Sequence, residues 1–405
     1  MLAFTFPGQG SQRPGMGAAW VDHPSFELVE QASEVVERDL AELLLHADEG
    51  TLRLTQNAQI ATFVQSLVVL DALERLGIEP AALAGHSLGE YSALVASGAL
   101  SYEDGLRLVS ERGAAMADAA EQTAGTMMAV LGLDDDSVEA ACVRAEGSAW
   151  VANFNAPGQV VIAGEPEALE RAAEIAKSLG AKRVMSFPVG GAFHTPLMAP
   201  ARDRLRKALA EISFRESEPV VVANVDARAH SDGADWPSLL SAQLGAPVRW
   251  RQGLETLWGL GARTFVEVGP GGVLTGLAKR VLTEDGFSAH QVSVPADLEA
   301  LVEALTPEPP DTTRQHYAMT ERLVLSPATG KFRPVESFAA ASPSLSDESR
   351  VASLIEVSVG ALIGWAGETE IRSAFAGTLE GIIVLEGERV VAGQPVAWLR
   401  SQVQD

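Results

Sequence analysis

Gly85-His86-Ser87-Leu88-Gly89 places a serine between glycines two residues before it and two after. An apolar run at 81–84 precedes this pentapeptide and a helical pattern at 90–97 follows it, the strand-turn-helix setting of a nucleophile elbow. Glycines at those spacings remove Cβ atoms where strand and helix must approach, so the serine can hold a strained backbone and project its hydroxyl. The helix start adds unpaired N–H groups, that of Leu88 included, which can face a developing oxyanion. Five residues alone also fit a tight turn without chemistry, and a serine hydroxyl needs a base. The histidines stand at 23, 46, 86, 194, 230, 290 and 316. His194 lies in the glycine-hinged stretch Gly190-Gly191-Ala192-Phe193-His194-Thr195-Pro196, after a strand-like run at 184–189, where an imidazole can face a cleft. A loop histidine satisfied by its neighbours is the competing reading. His86, next to the serine, is read as pointing away into the packing of the turn.

Holding such groups together needs a layered scaffold. The first 283 residues or so alternate short apolar runs with longer helical periods, as an α/β domain does, and 4–6, 81–84 and 264–267 read as strands ending in glycine-rich turns. Runs at 126–133 and 159–163 frame a helix at about 136–144, with a second helical stretch at 165–179, so residues from about 126 to 190 read as an inserted βαβα subdomain. Beyond residue 284 the pattern fades. Thr306-Pro307-Glu308-Pro309-Pro310 cannot support a helix or a central strand, and residues 285–321 read as a linker. In the last part of the chain a weak repeat emerges. Ser326-Pro327-Ala328-Thr329-Gly330 returns as Ser373-Ala374-Phe375-Ala376-Gly377, and Val359-Gly360 returns as Ala392-Gly393. Matching turn glycines with β-branched residues between them indicate a small all-β module of two similar halves, the first lengthened by a polar surface insertion at 337–350.

Six motifs stand in one order over residues 1 to about 283: Phe6-Pro7-Gly8-Gln9-Gly10-Ser11-Gln12, the Ser87 pentapeptide with Glu90, Arg112-Gly113, Asn153-Phe154-Asn155-Ala156-Pro157-Gly158-Gln159, Gly191-Ala192-Phe193-His194 and Glu267-Val268-Gly269-Pro270-Gly271. In them the chain resembles malonyl-CoA:acyl carrier protein transacylases and the acyltransferase domains of polyketide synthases. The resemblance implies, for residues 1–284, an α/β-hydrolase-like core with a ferredoxin-like insert. It implies Ser87 and His194 as the catalytic pair, an oxyanion hole from the N–H groups of Gln9 and Leu88, and a backbone carbonyl in place of an aspartate to orient the histidine, assigned to Arg249 in Ala246-Pro247-Val248-Arg249. Gln59, Asn155 and Phe193 match substrate-binding positions, with Ile60 where the family has proline after Gln59; Phe193 would crowd an α-methyl branch. Arg112 would fork two N–H donors onto the free carboxylate of a malonyl group, the competing reading being a surface arginine paired with Glu111. The expected reaction carries malonyl from malonyl-CoA to the phosphopantetheine thiol of an acyl carrier protein or polyketide synthase carrier domain, through an acyl-serine. A serine acyl hydrolase, an acyltransferase of another specificity acting on a polyketide synthase, and a non-catalytic carrier-binding scaffold are the alternatives.

Residues 322–405 resemble biotinyl and lipoyl carrier domains, flattened barrels that bear their cofactor on a lysine at the hairpin joining two halves. Ala366 stands at that position here, so no covalent biotin or lipoate is expected, nor any metal, and a docking or structural role is left for the module. With 54 acidic against 30 basic residues, the formal charge of −24 argues against a nucleic-acid partner. Lys182, Arg183, Arg202, Arg204, Arg206, Lys207, Lys279 and Arg280 form a basic cluster available to an acidic carrier and to coenzyme phosphates. Neither a leader pattern nor a run of about 18 apolar residues is legible, and the expectation is a cytoplasmic protein away from membranes. Cys142, the single cysteine, reads as a buried small hydrophobe.

Overall fold

The computed structural model describes residues 1–306, 319–336, 338 and 355–402. The chain divides after Thr306 into two compact units. The first opens with β1 (Leu2–Phe6) and continues through α1 (Glu27–Val35), α2 (Leu40–Leu45), α3 (Glu49–Arg53) and the long α4 (Thr55–Arg75). β2 (Ala82–Gly85) runs through Ser87 into α5 (Gly89–Ala96), and α6 (Tyr102–Gln122) follows. Every side chain of β2 is buried. A Cβ on Gly85 would stand 1.9 Å from the carbonyl carbon of Gly89, so only glycine lets strand and helix meet this closely.

The inserted stretch builds β3 (Thr126–Leu131), α7 (Asp135–Arg144), β4 (Ala149–Ala156), β5 (Gln159–Gly164), α8 (Pro166–Ser178) and β6 (Arg183–Ser186). Its strands form an antiparallel sheet in the order β4-β5-β3-β6, with Val138, Cys142, Leu169 and Ala172 of the two helices packed into its core. β3, α7, β5 and α8 fall within two residues of the expected bounds. β4 was not anticipated as a strand, because its second face is covered as well as its first: residues 151–156 are all buried, and no alternation shows.

After the insert come α9 (Ala199–Ala210), β7 (Val220–Val222), β8 (Ala229–His230), α10 (Trp236–Gln243), α11 (Trp250–Gly259), β9 (Thr264–Val268), α12 (Val273–Val281), β10 (Ser288–Val292) and α13 (Ala296–Leu305). The main sheet has the order β10-β9-β1-β2-β7-β8, parallel throughout except for the β7-β8 pair. β1, β2 and β7 therefore end on one edge, where open α/β sheets bind ligands. The linker expected at 285–321 starts too early: β10 extends the sheet beside β9, and Leu298 and Leu301 of α13 enter the same core as Phe4 and Leu83. β10 escaped the sequence reading because a half-covered edge strand, Ser-Ala-His-Gln-Val, carries little apolar signal. The proline-rich stretch 307–310 and, Phe338 apart, the expected insertion at 337–350 lie outside the described residues. Among the described residues no helix is long and apolar enough to cross a membrane.

The second unit consists of β11 (Met319–Leu325), β12 (Gly330–Pro334), β13 (Ile355–Val357), β14 (Leu362–Ala366), β15 (Thr369–Arg372), β16 (Gly377–Ile382), β17 (Arg389–Val390) and β18 (Pro395–Gln402). They form two four-stranded antiparallel sheets, β11-β18-β16-β13 and β15-β14-β12-β17, over a core that includes Phe332, Ile363, Ile371 and Leu399. The weak repeat has a structural counterpart. The hydroxyls of Ser326 and Ser373, both 2% exposed, each donate 2.7 Å to the carbonyl two residues on, Ala328 and Phe375. Gly393 N donates to the Ser326 carbonyl as Gly360 N does to that of Ser373, each at 2.7 Å, and these glycines have φ of +85° and +81°. One residue type in each half thus performs the same turn, which is what an internal duplication preserves.

Candidate active site

Three strand ends and two helix ends converge on one group of side chains. Ser87 follows β2 with φ +52°, a left-handed backbone that a non-glycine residue holds only under constraint. Asn224, just past β7, supplies that constraint: its Oδ1 accepts from Ser87 N at 2.7 Å and its Nδ2 donates to the Gly85 carbonyl at 2.7 Å. The Ser87 hydroxyl lies 2.7 Å from Nε2 of His194, itself at φ +61° and 4% exposed. Nδ1 of His194 donates to the carbonyl of Gln243 at 2.9 Å, which leaves Nε2 as the acceptor facing Ser87. Burial first, and the Arg112 charge second, push the imidazole down to about 3 against the pull of the Gln243 carbonyl, so the ring is neutral at ordinary pH.

The orienting carbonyl thus belongs to Gln243 and not to Arg249. Gln243 is the last residue of α10, and the final carbonyls of a helix have no partner within it. The carbonyl of Arg249 is already taken by Gly253 N at 2.9 Å as α11 begins, while its side chain turns outward to the Val225 carbonyl. Assigning the role from the neighbouring motif missed the nearer signal, a helix terminus with free acceptors.

Arg112 sits on the buried face of α6 with Leu108, Ala115 and Ala119 and is 1% exposed, so the surface pairing with Glu111 does not form; Glu111 binds Arg204 instead. Its Nη1 donates to Gln59 Oε1 at 2.6 Å, and its Nη2 to Ser87 Oγ at 3.0 Å and to Gln243 Oε1 at 2.9 Å. All three acceptors are neutral, and Nε has no hydrogen-bond partner among the described residues. A buried cation without a bonded carboxylate is costly unless a ligand completes it. Gln59 is held by this contact and by a 3.3 Å approach of its Nε2 to the Met116 sulfur.

A cavity of about 520 Å³ opens over Ser87 and His194 and is lined by Gln9, Arg112, Asn155 and Phe193 with the apolar Met116, Met127 and Phe187. The N–H groups of Gln9 and Leu88 donate to no protein acceptor among the described residues. Leu88 is the first cap of α5 and its side chain is fully buried, so its backbone is what it offers to the site. Asn155 Oδ1 accepts from His86 Nε2 at 2.9 Å, which ties β4 of the insert to the elbow. His86 is packed edge-on against Trp250, as a structural role requires, yet it also borders the cavity through that asparagine. Sequence reasoning overlooked Gln243 and Asn224, although a polar residue two positions after the Val-Val-Val of β7 marks the functional end of a parallel strand. Of the basic cluster, Arg204 is spent on Glu111 and Asp118, and Arg280 donates to Gln159 and to the Pro157 carbonyl.

A serine on an elbow, a neutral buried histidine and an unmatched cation in one cleft are the equipment of an acyl transferase. The model of the acyl transferase domain family matches residues 3–326. Within that class the chain belongs to the malonyl CoA-acyl carrier protein transacylase family. The enzyme of that name from Bacillus subtilis is 40% identical over 312 residues, 76% of this chain and 98% of the relative. That of Escherichia coli K12 is 41% identical over 309 residues, 75% and 99% of the two chains. Among solved structures, an acyl carrier protein S-malonyltransferase from Vibrio cholerae covers 74% of this chain and 99% of its own with a TM-score of 0.71 at 40% identity. A malonyl-transacylase solved in complex with a type II polyketide synthase acyl-carrier protein has a TM-score of 0.72 at 39% identity, covering 75% and 99%.

Proposed function

We propose that this protein transfers the malonyl group of malonyl-CoA to the thiol of an acyl carrier protein through an ester on Ser87. The observation that carries this reading is the buried Arg112 fork, bonded only to neutral groups and in contact with the Ser87 hydroxyl. A malonyl ester on Ser87 brings its free carboxylate to that guanidinium, a bidentate pair that an acetyl group cannot make. As Oγ attacks the thioester carbon, His194 Nε2 takes the hydroxyl proton and the N–H groups of Gln9 and Leu88 receive the oxyanion. The Gln243 carbonyl and the negative end of α10 stabilise the imidazolium so formed, which then protonates the departing coenzyme thiolate. A carrier thiol repeats these steps in reverse, giving its proton to His194 and leaving Ser87 protonated. Gln59 fixes Arg112, Asn155 frames the mouth of the cleft, and Phe193 narrows the space beside the acyl α-carbon.

In this reading the first unit is an α/β-hydrolase-like core, and the βαββαβ insert is ferredoxin-like. The second unit reads as a biotinyl/lipoyl-like barrel without its attachment lysine. Ala366, at the aligned position, is 2% exposed beside the turn between β14 and β15. That leaves the module to dock a partner or to stabilise the chain.

Labelled malonyl-CoA should transfer its acyl group to a carrier protein bearing the phosphopantetheine arm and not to one lacking it. Release of free malonate as fast as transfer would favour a hydrolase. A second check concerns the base. Since burial and the Arg112 charge push the His194 imidazole down to about 3, inactivation of Ser87 by a small uncharged sulfonyl fluoride should keep its rate from about pH 8 to about pH 5, because the ring stays neutral over that range. A rate that halves near the usual imidazole value contradicts the assignment.

A further inference from the structure

We infer that Glu90, which the proposed reaction leaves unused, is a positioning residue for substrate choice: its carboxylate fixes the Gln243 side-chain amide so that the amide oxygen faces Arg112. The inference rests on the malonyl reading of the site. Glu90 lies in the first turn of α5 and is completely buried. Its Oε1 accepts from Asn224 N at 2.6 Å and its Oε2 from Gln243 Nε2 at 2.5 Å. The same Nε2 donates to the Ser87 carbonyl at 2.9 Å. A carboxylate and a carbonyl only accept, and a guanidinium only donates. With two acceptors on one side of the Gln243 amide and the Arg112 donor on the other, only one orientation is satisfied. Turned over, the amide would set oxygen against two acceptors and its NH2 against the cation.

This arrangement also explains how a cation stays buried without a bonded carboxylate. Glu90 balances Arg112 across the intervening amide without bonding to it. A direct ion pair would occupy the donors that a substrate carboxylate needs. The charged and titratable groups facing Glu90 are Arg112 of α6, Asp226 from the segment after β7 and the adjacent Tyr91 of α5. Burial outweighs the Asn224 and Gln243 hydrogen bonds and the Arg112 charge and raises the carboxyl to about 7. Below that pH a proton can turn Oε2 into a donor, leaving only the Ser87 carbonyl and Arg112 to hold the amide, so its orientation is weakened.

The test is the ratio of kcat/KM for malonyl-CoA to that for acetyl-CoA, followed from about pH 8 to about pH 6. Glu90→Gln keeps the shape and adds a donor. At the upper pH the variant should lose roughly tenfold of the ratio, mainly through KM for malonyl-CoA. The parent's ratio should fall toward the lower pH while the variant's stays flat. A variant that keeps the parent's ratio and pH dependence overturns the proposal. So does a loss matched by an equal loss in sulfonyl fluoride labelling of Ser87, since that means Glu90 only supports the elbow. If Glu90→Gln does not fold, the parent decides alone, a flat ratio over the same pH range overturning the inference. Failure of the malonyl reading itself looks different: the parent then shows no preference for malonyl-CoA at any pH.

Discussion

Ser87→Ala is expected to lower malonyl transfer by at least about 10⁴-fold while leaving the protein folded. The substitution retains Cβ, so the left-handed backbone at φ +52° and the Asn224 bonds that impose it are unchanged. It deletes the one atom that joins His194 to Arg112. What remains, the cavity and its unpaired N–H groups, can polarise a thioester but has nothing to bond to it. Intact mass after incubation with malonyl-CoA reads the result directly: the parent gains one malonyl group and the variant gains none. A parent without that gain removes the acyl-serine and leaves a carrier-binding scaffold as the reading.

Arg112→Ala should reverse substrate preference instead of abolishing turnover. Loss of a desolvated charge partner for the malonyl carboxylate costs about 3 kcal/mol, or roughly 10²-fold in kcat/KM. Acetyl-CoA, which leaves the guanidinium unmatched in the parent, should become the better substrate. Removing the cation also removes a force that depresses the His194 imidazole, so the variant's base should titrate higher than the parent's. Arg112→Lys should fall between the two, keeping charge but not the fork. Equal malonyl rates in Arg112→Ala and the parent contradict the role. Steady-state kinetics with both thioesters, alongside thermal unfolding to register any cavity left in α6, measure each part.

The elbow and its histidine were legible because their signals are local. A glycine-flanked serine between an apolar run and a helical period needs no distant residue to be noticed, and the glycine-hinged stretch at 190–196 marks a turn by composition alone. The burial of Arg112 was missed on local grounds: residue type favoured a surface arginine paired with Glu111, its role came with the family resemblance, and the 3.6-residue spacing that aligns it with Leu108, Ala115 and Ala119 was overlooked. Gln9 and Leu88, proposed as the oxyanion donors, follow the ends of β1 and β2, and their backbone N–H groups have no acceptor among the described residues. β10 and β4 were missed for opposite causes: one strand is too exposed to show an apolar run, the other too buried to alternate.

Ser87 and His194 are 107 residues apart, and the residues that set their geometry come from farther still. By itself the sequence pointed to Ser87, His194 and Arg112 as candidates for chemistry, to an α/β first unit, and to last strands made of two similar halves, because residue type, period and turn glycines act over a few neighbours. Only the tertiary structure decided which carbonyl holds the histidine, that Asn224 braces the serine while Glu90 bonds Asn224 N and the Gln243 amide, and that Arg112 stands charged among neutral partners. Those are properties of where β2, β7 and α10 end relative to one another. Free backbone groups at element ends become a site only when packing brings the ends together.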